Sequence, residues 1–104
     1  MDLRKLQRTI IDALEEVKAT DIRVFDTSKL TSLFDRVIIA TGNSNRQTRA
    51  LAFSVSTAVK DKGGEVISME GLETGEWVLV DCGDAVVHIL QPLIRAYYQL
   101  AGMW

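Results

Sequence analysis

Asp81, Cys82, Asp84 and His88 crowd into one short stretch of a 104-residue chain, and each carries a group with chemistry of its own. The two carboxylates can hold a divalent cation or pass a proton, the thiol can attack an electrophile, and the imidazole can serve as its base. Both readings meet an obstacle in the pattern. One imidazole with two turn aspartates matches no established ligand spacing, and Asp is a common turn residue in its own right. Cys82 is expected on the strand face opposite His88, out of that base's reach, and a lone cysteine usually packs as a small apolar group. A third reading is protein binding. Trp77, Val86 and His88, with Tyr98 nearby, form a patch of aromatic anchors ringed by polar groups, as interface hot spots do. Trp77 is equally well explained as an aromatic covered by a helix of its own domain. Elsewhere, Gly42-Asn43-Ser44-Asn45-Arg46-Gln47 follows an apolar run and opens a helix, a setting in which unpaired first-turn amides attract anions. Ser44 with Gln47 three residues on is also a capping box, which accounts for the same residues without a ligand.

Positioning the first group takes a β-hairpin. Glu76 to Leu90, EWVLVDCGDAVVHIL, has two arms rich in Val, Leu, Ile and Trp about an Asp81-Cys82-Gly83-Asp84 break, where Gly83 supplies the backbone freedom of a tight reversal. With an even loop, Val78 is expected opposite Val87 and Val80 opposite Ala85, with Ile89 extending that apolar face. On the other face Trp77 then opposes His88, Leu79 opposes Val86 and Asp81 opposes Asp84, with Leu90 beyond.

The rest of the chain supplies the scaffold. Asp2 can cap a helix to about Lys18 whose Leu3, Leu6, Ile10, Ala13, Leu14 and Val17 form one stripe. Ile22 to Asp26 alternates weakly as a first strand, and Thr27 to Ser32 reads as a polar connector. Arg36 to Thr41 is a nearly continuous apolar run, expected centrally in the sheet and covered on both faces. A second helix is expected from Ser44 to about Lys62, burying Leu51, Val55, Ala58 and Val59 with Phe53 partly inward, and Lys62-Gly63-Gly64 closes it. Glu65 to Glu70 reads as a third strand. Pro92 opens a last helix whose Leu93, Tyr97, Leu100 and Trp104 make a stripe expected to dock on the sheet, with Arg95 and Tyr98 off it.

These elements describe one α/β domain, and composition agrees. A 47% hydrophobic share with a single proline excludes the disordered class. A domain of this size buries roughly 65% of its unfolded surface without staples. One cysteine cannot make an internal disulfide and fits a reducing cytosol. Charges interrupt the apolar pairs of MDLRKLQRTI, so it reads as neither signal peptide nor membrane span, and a cytoplasmic protein is expected. A formal charge of −2 lacks the concentrated basic surface that neutralising phosphates requires. A protein partner is therefore expected, with no dominant nucleic-acid contact.

Together, Asp35 to Ser44 (DRVIIATGNS), the Glu70-Gly71 pair, Trp77 to Asp81 (WVLVD), Gly83 to His88 (GDAVVH) and a tail with Arg95, Tyr98, Leu100 and Trp104 resemble the ribosomal silencing factor family, also called Iojap-like proteins. The resemblance spans nearly the whole chain and departs at Leu100-Ala101, where the family usually has an acidic residue after the leucine. It implies a single domain over residues 1–104, a mixed sheet of about five strands with helices packed on it, and an outline similar to nucleotidyltransferases. It implies no catalysis and no cofactor. The implied partner is the fourteenth ribosomal protein of the large subunit, bound so that subunit joining is sterically blocked and translation repressed when nutrients are scarce. The residues implied for that contact are Trp77, Asp81, Asp84, Val86, His88 and Tyr98. Two alternatives stand beside it. A small nucleotidyltransferase would hold triphosphate at Gly42 and Ser44, but it needs paired carboxylates on the following strand, and Glu65 and Glu70 point to opposite strand faces. A homodimer through the hairpin edge or the apolar tail is compatible with ribosome binding.

Overall fold

The computed structural model describes the backbone of residues 1–100 and the side chains of residues 1–98. Helix α1 (Leu3–Glu16) leads to strands β1 (Thr20–Asp26) and β2 (Arg36–Thr41), helix α2 (Asn45–Asp61), strands β3 (Ser68–Glu70), β4 (Trp77–Asp81) and β5 (Ala85–Leu90), and helix α3 (Pro92–Leu100). The strands form one mixed sheet in the order β1-β2-β5-β4-β3. β2 and β5 run parallel and the other neighbours antiparallel. A parallel pair needs a long crossover, which α2 and the β3–β4 pair provide. The architecture is the expected α/β domain.

The first sheet face is covered by α1 and α2 except toward the β1 edge, where Val24 stays 37% exposed. Leu6, Ile10 and Leu14 of α1 and Leu51, Val55 and Val59 of α2 pack onto Ile38, Val78, Val80, Val87 and Ile89. Each such side chain stabilises the fold by about 1.5–3 kcal/mol on burial. Asp2 Oδ1 caps α1 by accepting from the Lys5 amide at 2.8 Å. The helix stops at Glu16, short of the expected Lys18, because Lys18 takes φ 64°, which no right-handed helix accommodates. At α2, Ser44 Oγ accepts from the Gln47 amide at 3.0 Å. The Gln47 side chain reaches back to the Asn43 amide at 2.7 Å and donates to the carbonyls of Val17 and Lys18, so one cap secures both helices.

Three expectations about this layer change. β2 is interior and covered on both faces, but β5 is the middle strand, since the hairpin adds beyond it. Phe53 is 52% exposed, on the outer side of α2. β3 is confined to Ser68–Glu70, because Ser68 pairs with Asp81 and the next residue of β4's chain already turns to meet Ala85.

The second sheet face is covered only in part. Val37, Ile39 and Leu90 pack with Phe25, Phe34, Ile94 and Tyr98. Here the expected stripe of α3 is wrong. Leu93 is 84% and Tyr97 73% exposed, while Arg95 is 5% exposed; Leu100 and Trp104 lie outside the described side chains. The reason is polar anchoring. Arg95 Nη1 donates to the Asp21 carbonyl at 2.7 Å and to Thr41 Oγ1 at 2.8 Å, and Nη2 pairs with Asp21 Oδ2 at 3.2 Å. A guanidinium held from two strands rolls the helix so that Ile94 and Tyr98, four apart, face the sheet.

Candidate functional site

The hairpin that carries the chemistry-bearing residues pairs Trp77 with Leu90, Val78 with Ile89, Leu79 with His88, Val80 with Val87 and Asp81 with Val86. This register lies two residues from the expected one. The reversal closes around Gly83 and Asp84, with the Cys82 amide donating to the Ala85 carbonyl at 2.9 Å. Gly83 takes φ +83°, and Asp81 Oδ1 accepts from its amide at 2.9 Å. The first loop position of such a turn favours glycine. An even slip preserves every side chain's face, so the division into core and open faces stands although the individual pairs do not. In particular, Asp81 and Asp84 are not cross-strand partners: Asp84 is an exposed loop residue and Asp81 faces Val86.

Trp77 and His88 sit diagonally and still meet, with Trp77 Nε1 donating to His88 Nδ1 at 3.0 Å. Tyr98 from α3 stands edge-on to Trp77, ring centroids 4.7 Å apart at 82°. Trp77 remains 39% exposed: a helix of its own domain covers one edge of the ring and the rest faces outward. An indole N–H only donates, so the neutral imidazole carries its proton on Nε2. Burial pulls the His88 pKa down to about 4, which keeps the ring neutral around pH 7.

Trp77 is delivered to this position by the loop before it. A Cβ on Gly71, at φ +84°, would stand 2.1 Å from the Trp77 carbonyl oxygen, so only glycine lets the two segments approach. Arg49 of α2 holds the same loop, Nε donating to the Leu72 carbonyl and Nη2 to the Glu73 carbonyl, each at 2.6 Å. Gln91 adds a bond from Nε2 to the Gly75 carbonyl at 3.0 Å.

The aromatic trio stands at one end of a groove of about 630 Å³ along β4 and β5. Leu79, Val86 and His88 form its floor, with Tyr98 at the helix end and Asp81, Gly83 and Asp84 at the turn end. Leu33 and Phe34, from the β1–β2 loop, and Ile67, from the approach to β3, complete the lining. The structure thus brings together Asp81, Asp84, Val86, His88 and Tyr98, with Trp77 joined through its ring contacts. Sequence reasoning missed Leu33, Phe34, Leu79 and Ile67 as members. An apolar pair directly after the polar connector was the available signal for the first two.

Other candidate chemistry disperses. Cys82 is buried in the first-face core, and burial together with the Asp81 carboxylate raises its pKa to about 11, so the group is a thiol on the face away from His88. Among the described residues, no three His, Cys, Asp or Glu side chains are grouped to hold a metal ion. Glu65 precedes β3 and Glu70 ends it, both exposed. Gly42 is buried, and a Cβ there would meet Thr48 Cγ2 at 2.8 Å, so this glycine serves close packing of α2 on the end of β2.

A mixed five-stranded sheet with helices packed on one face and an aromatic and acidic groove on the other defines an α/β domain. Its relatives specify which one. Residues 1–104 match the family described as ribosomal silencing factor during starvation. The ribosomal silencing factor of Chromobacterium violaceum is 51% identical over 104 residues, covering 100% of this chain and 85% of that protein. That of Haemophilus influenzae is 41% identical over 95 residues, covering 91% and 93% respectively. An X-ray crystal structure of a Chromobacterium violaceum protein, 51% identical, matches with a TM-score of 0.95 over 100% of this chain and 87% of that one. The chain belongs to the ribosomal silencing factor family, which ties it to translation regulation and ribosome association. No helix among the described residues is long and apolar enough to cross a membrane.

Proposed function

We propose that this protein binds the large ribosomal subunit through its fourteenth ribosomal protein, and by occupying that surface blocks joining of the small subunit and represses translation when nutrients are scarce. The contact uses Trp77, Asp81, Asp84, Val86, His88 and Tyr98. The observation that carries the reading is the groove on the partly covered sheet face, with aromatic rings at one end and carboxylates at the other, in a chain of the silencing family. Rings already packed on one another lose little freedom on binding, which favours affinity. Asp81 and Asp84 suit a basic ribosomal protein and act mainly by speeding encounter and fixing orientation. The action is stoichiometric, without catalysis or cofactor, and takes place in the cytoplasm. With a formal charge of −2, the grip is on protein and not chiefly on RNA. Self-association through the hairpin edge or the tail is compatible as long as the groove stays open.

Sedimentation with separated subunits tests this. The protein is expected to cosediment with large subunits and to lower the yield of joined ribosomes in proportion to occupancy when small subunits are supplied. Binding to small subunits instead, or inhibition that turns over at substoichiometric amounts, would refute it.

A further inference from the structure

The turn end of the groove is built differently from the aromatic end. Leu33 is 80% exposed and Ile67 60% exposed, and both line the groove beside Asp81 and Asp84. Ile67 is fixed in place, its amide donating to the Asp81 carbonyl at 2.7 Å and its Cδ1 lying 3.7 Å from where a Gly83 Cβ would stand. The loop bearing Leu33 is held as well. Thr27 Oγ1 donates to the Phe34 carbonyl at 3.1 Å, and the amides of Asp35 and Arg36 donate to the Asp84 carbonyl at 2.8 and 3.1 Å. Two large aliphatic side chains left in water on bonded backbone at the mouth of one groove contribute little to folding and are available as apolar contact surface beside the carboxylates.

Charge decides what kind of occupant fits. Among the described residues, the groove lining contains two carboxylates and no lysine or arginine, and Arg36, next in sequence to this end, is turned to Gln7, Asp26 and the Asp35 carbonyl. A phosphate would be repelled, and a purely apolar segment would leave the carboxylates without a counter-charge. We infer that the turn end receives one Lys or Arg side chain of the protein partner, its methylene stem lying between Leu33 and Ile67 and its cationic head at Asp84. Long basic side chains are amphipathic in this way, burying the stem while the head stays polar. Asp84 is the better acceptor, because Asp81 Oδ1 already takes the Gly83 amide. This assignment deepens the docking reading and rests on it.

The test compares the full-length Leu33→Ser/Ile67→Ser double variant, Asp84→Asn and Trp77→Ala for binding to purified large subunits at low and high salt. The double variant is expected to bind about tenfold more weakly at both salt concentrations with an unchanged melting temperature. Asp84→Asn is expected to bind about tenfold more weakly at low salt and nearly normally at high salt. If both bind within about twofold of the unaltered chain while Trp77→Ala abolishes binding, the stem-and-head assignment is overturned and the docking reading stands. If the unaltered chain does not bind large subunits, both fall. If the double variant alters self-association of the free protein but not subunit binding, the occupant is a second copy and the assignment is again overturned.

Discussion

Trp77 is held by His88 and Tyr98 and still left partly in water, a placement with consequences for both folding and binding. Trp77→Ala is expected to cost about 1 kcal/mol of stability through the lost ring pair, and about 2 kcal/mol or more of partner affinity through the lost anchor. Val80, fully buried on the other face, gives the contrast: Val80→Ala is expected to cost about 1–3 kcal/mol of stability with no direct effect on the contact. Thermal melts paired with binding measurements separate the two, and a Trp77→Ala that unfolds as badly as Val80→Ala would make Trp77 a core residue. His88 makes a pH prediction. Its folded pKa of about 4 lies below the ordinary 6.5, so the unfolded chain takes up the proton first. Its contribution is complete above about pH 6.5 and is lost as pH falls toward about 4, amounting to about 1–3 kcal/mol. Denaturant titrations of the protein and of His88→Gln over that window check it; equal losses in both would show that His88 is not the group responsible.

At the scale of elements, α3 is the part whose placement decides whether the site exists. Tyr98 reaches Trp77 from a helix that Arg95 bonds to Asp21 and Thr41 and that Ile94 packs onto the sheet. Asp21 is half-exposed, so the pair is weaker than a fully buried one, and Arg95→Ala is expected to cost about 2 kcal/mol. Its more telling effect is expected on the aromatic trio: near-ultraviolet circular dichroism should weaken as Tyr98 leaves Trp77, and partner binding should fall with it. Arg95→Lys is expected to restore little, since an ammonium cannot reach both strands with a planar fork. An aromatic spectrum unchanged by Arg95→Ala would mean that apolar packing alone seats the helix.

For the molecule as a whole, the silencing by bulk proposed above predicts a kinetic signature. A folded domain seated on the large subunit excludes the small subunit only while bound, so preformed joined ribosomes are expected to resist it and free subunits to be protected in proportion to occupancy. Raising salt is expected to slow association by screening Asp81 and Asp84, while leaving dissociation, which the apolar and aromatic contacts govern, less changed. Rapid-mixing kinetics over a salt series read both rates. A salt effect confined to dissociation would place the acidic residues outside the encounter.

Much of this was legible in the sequence because it depends on local periodicity. The period of two along Trp77 to Leu90 assigns core and open faces whatever the turn register, and for that reason the five candidate contact residues of the hairpin came to one face or its rim despite a slip of two, whereas Tyr98 joins them through the roll of α3. Capping by Asp2 and Ser44 is likewise a matter of side chains reaching backbone a few residues away. What depends on distant partners was not legible. The choice of Gly83-Asp84 as the loop, the roll of α3 about Arg95, and the recruitment of Leu33 and Ile67 to the groove are decided by groups far apart in the chain. Apolar spacing predicts that Leu93 and Tyr97 face inward; a buried guanidinium bonded to two strands outweighs that preference, because leaving its acceptors and its charge unmatched costs more than exposing a leucine. The sequence by itself therefore determined the faces, the caps and the family, while the tertiary structure alone decided which side chains meet, since that rests on long-range hydrogen bonds that no local pattern encodes.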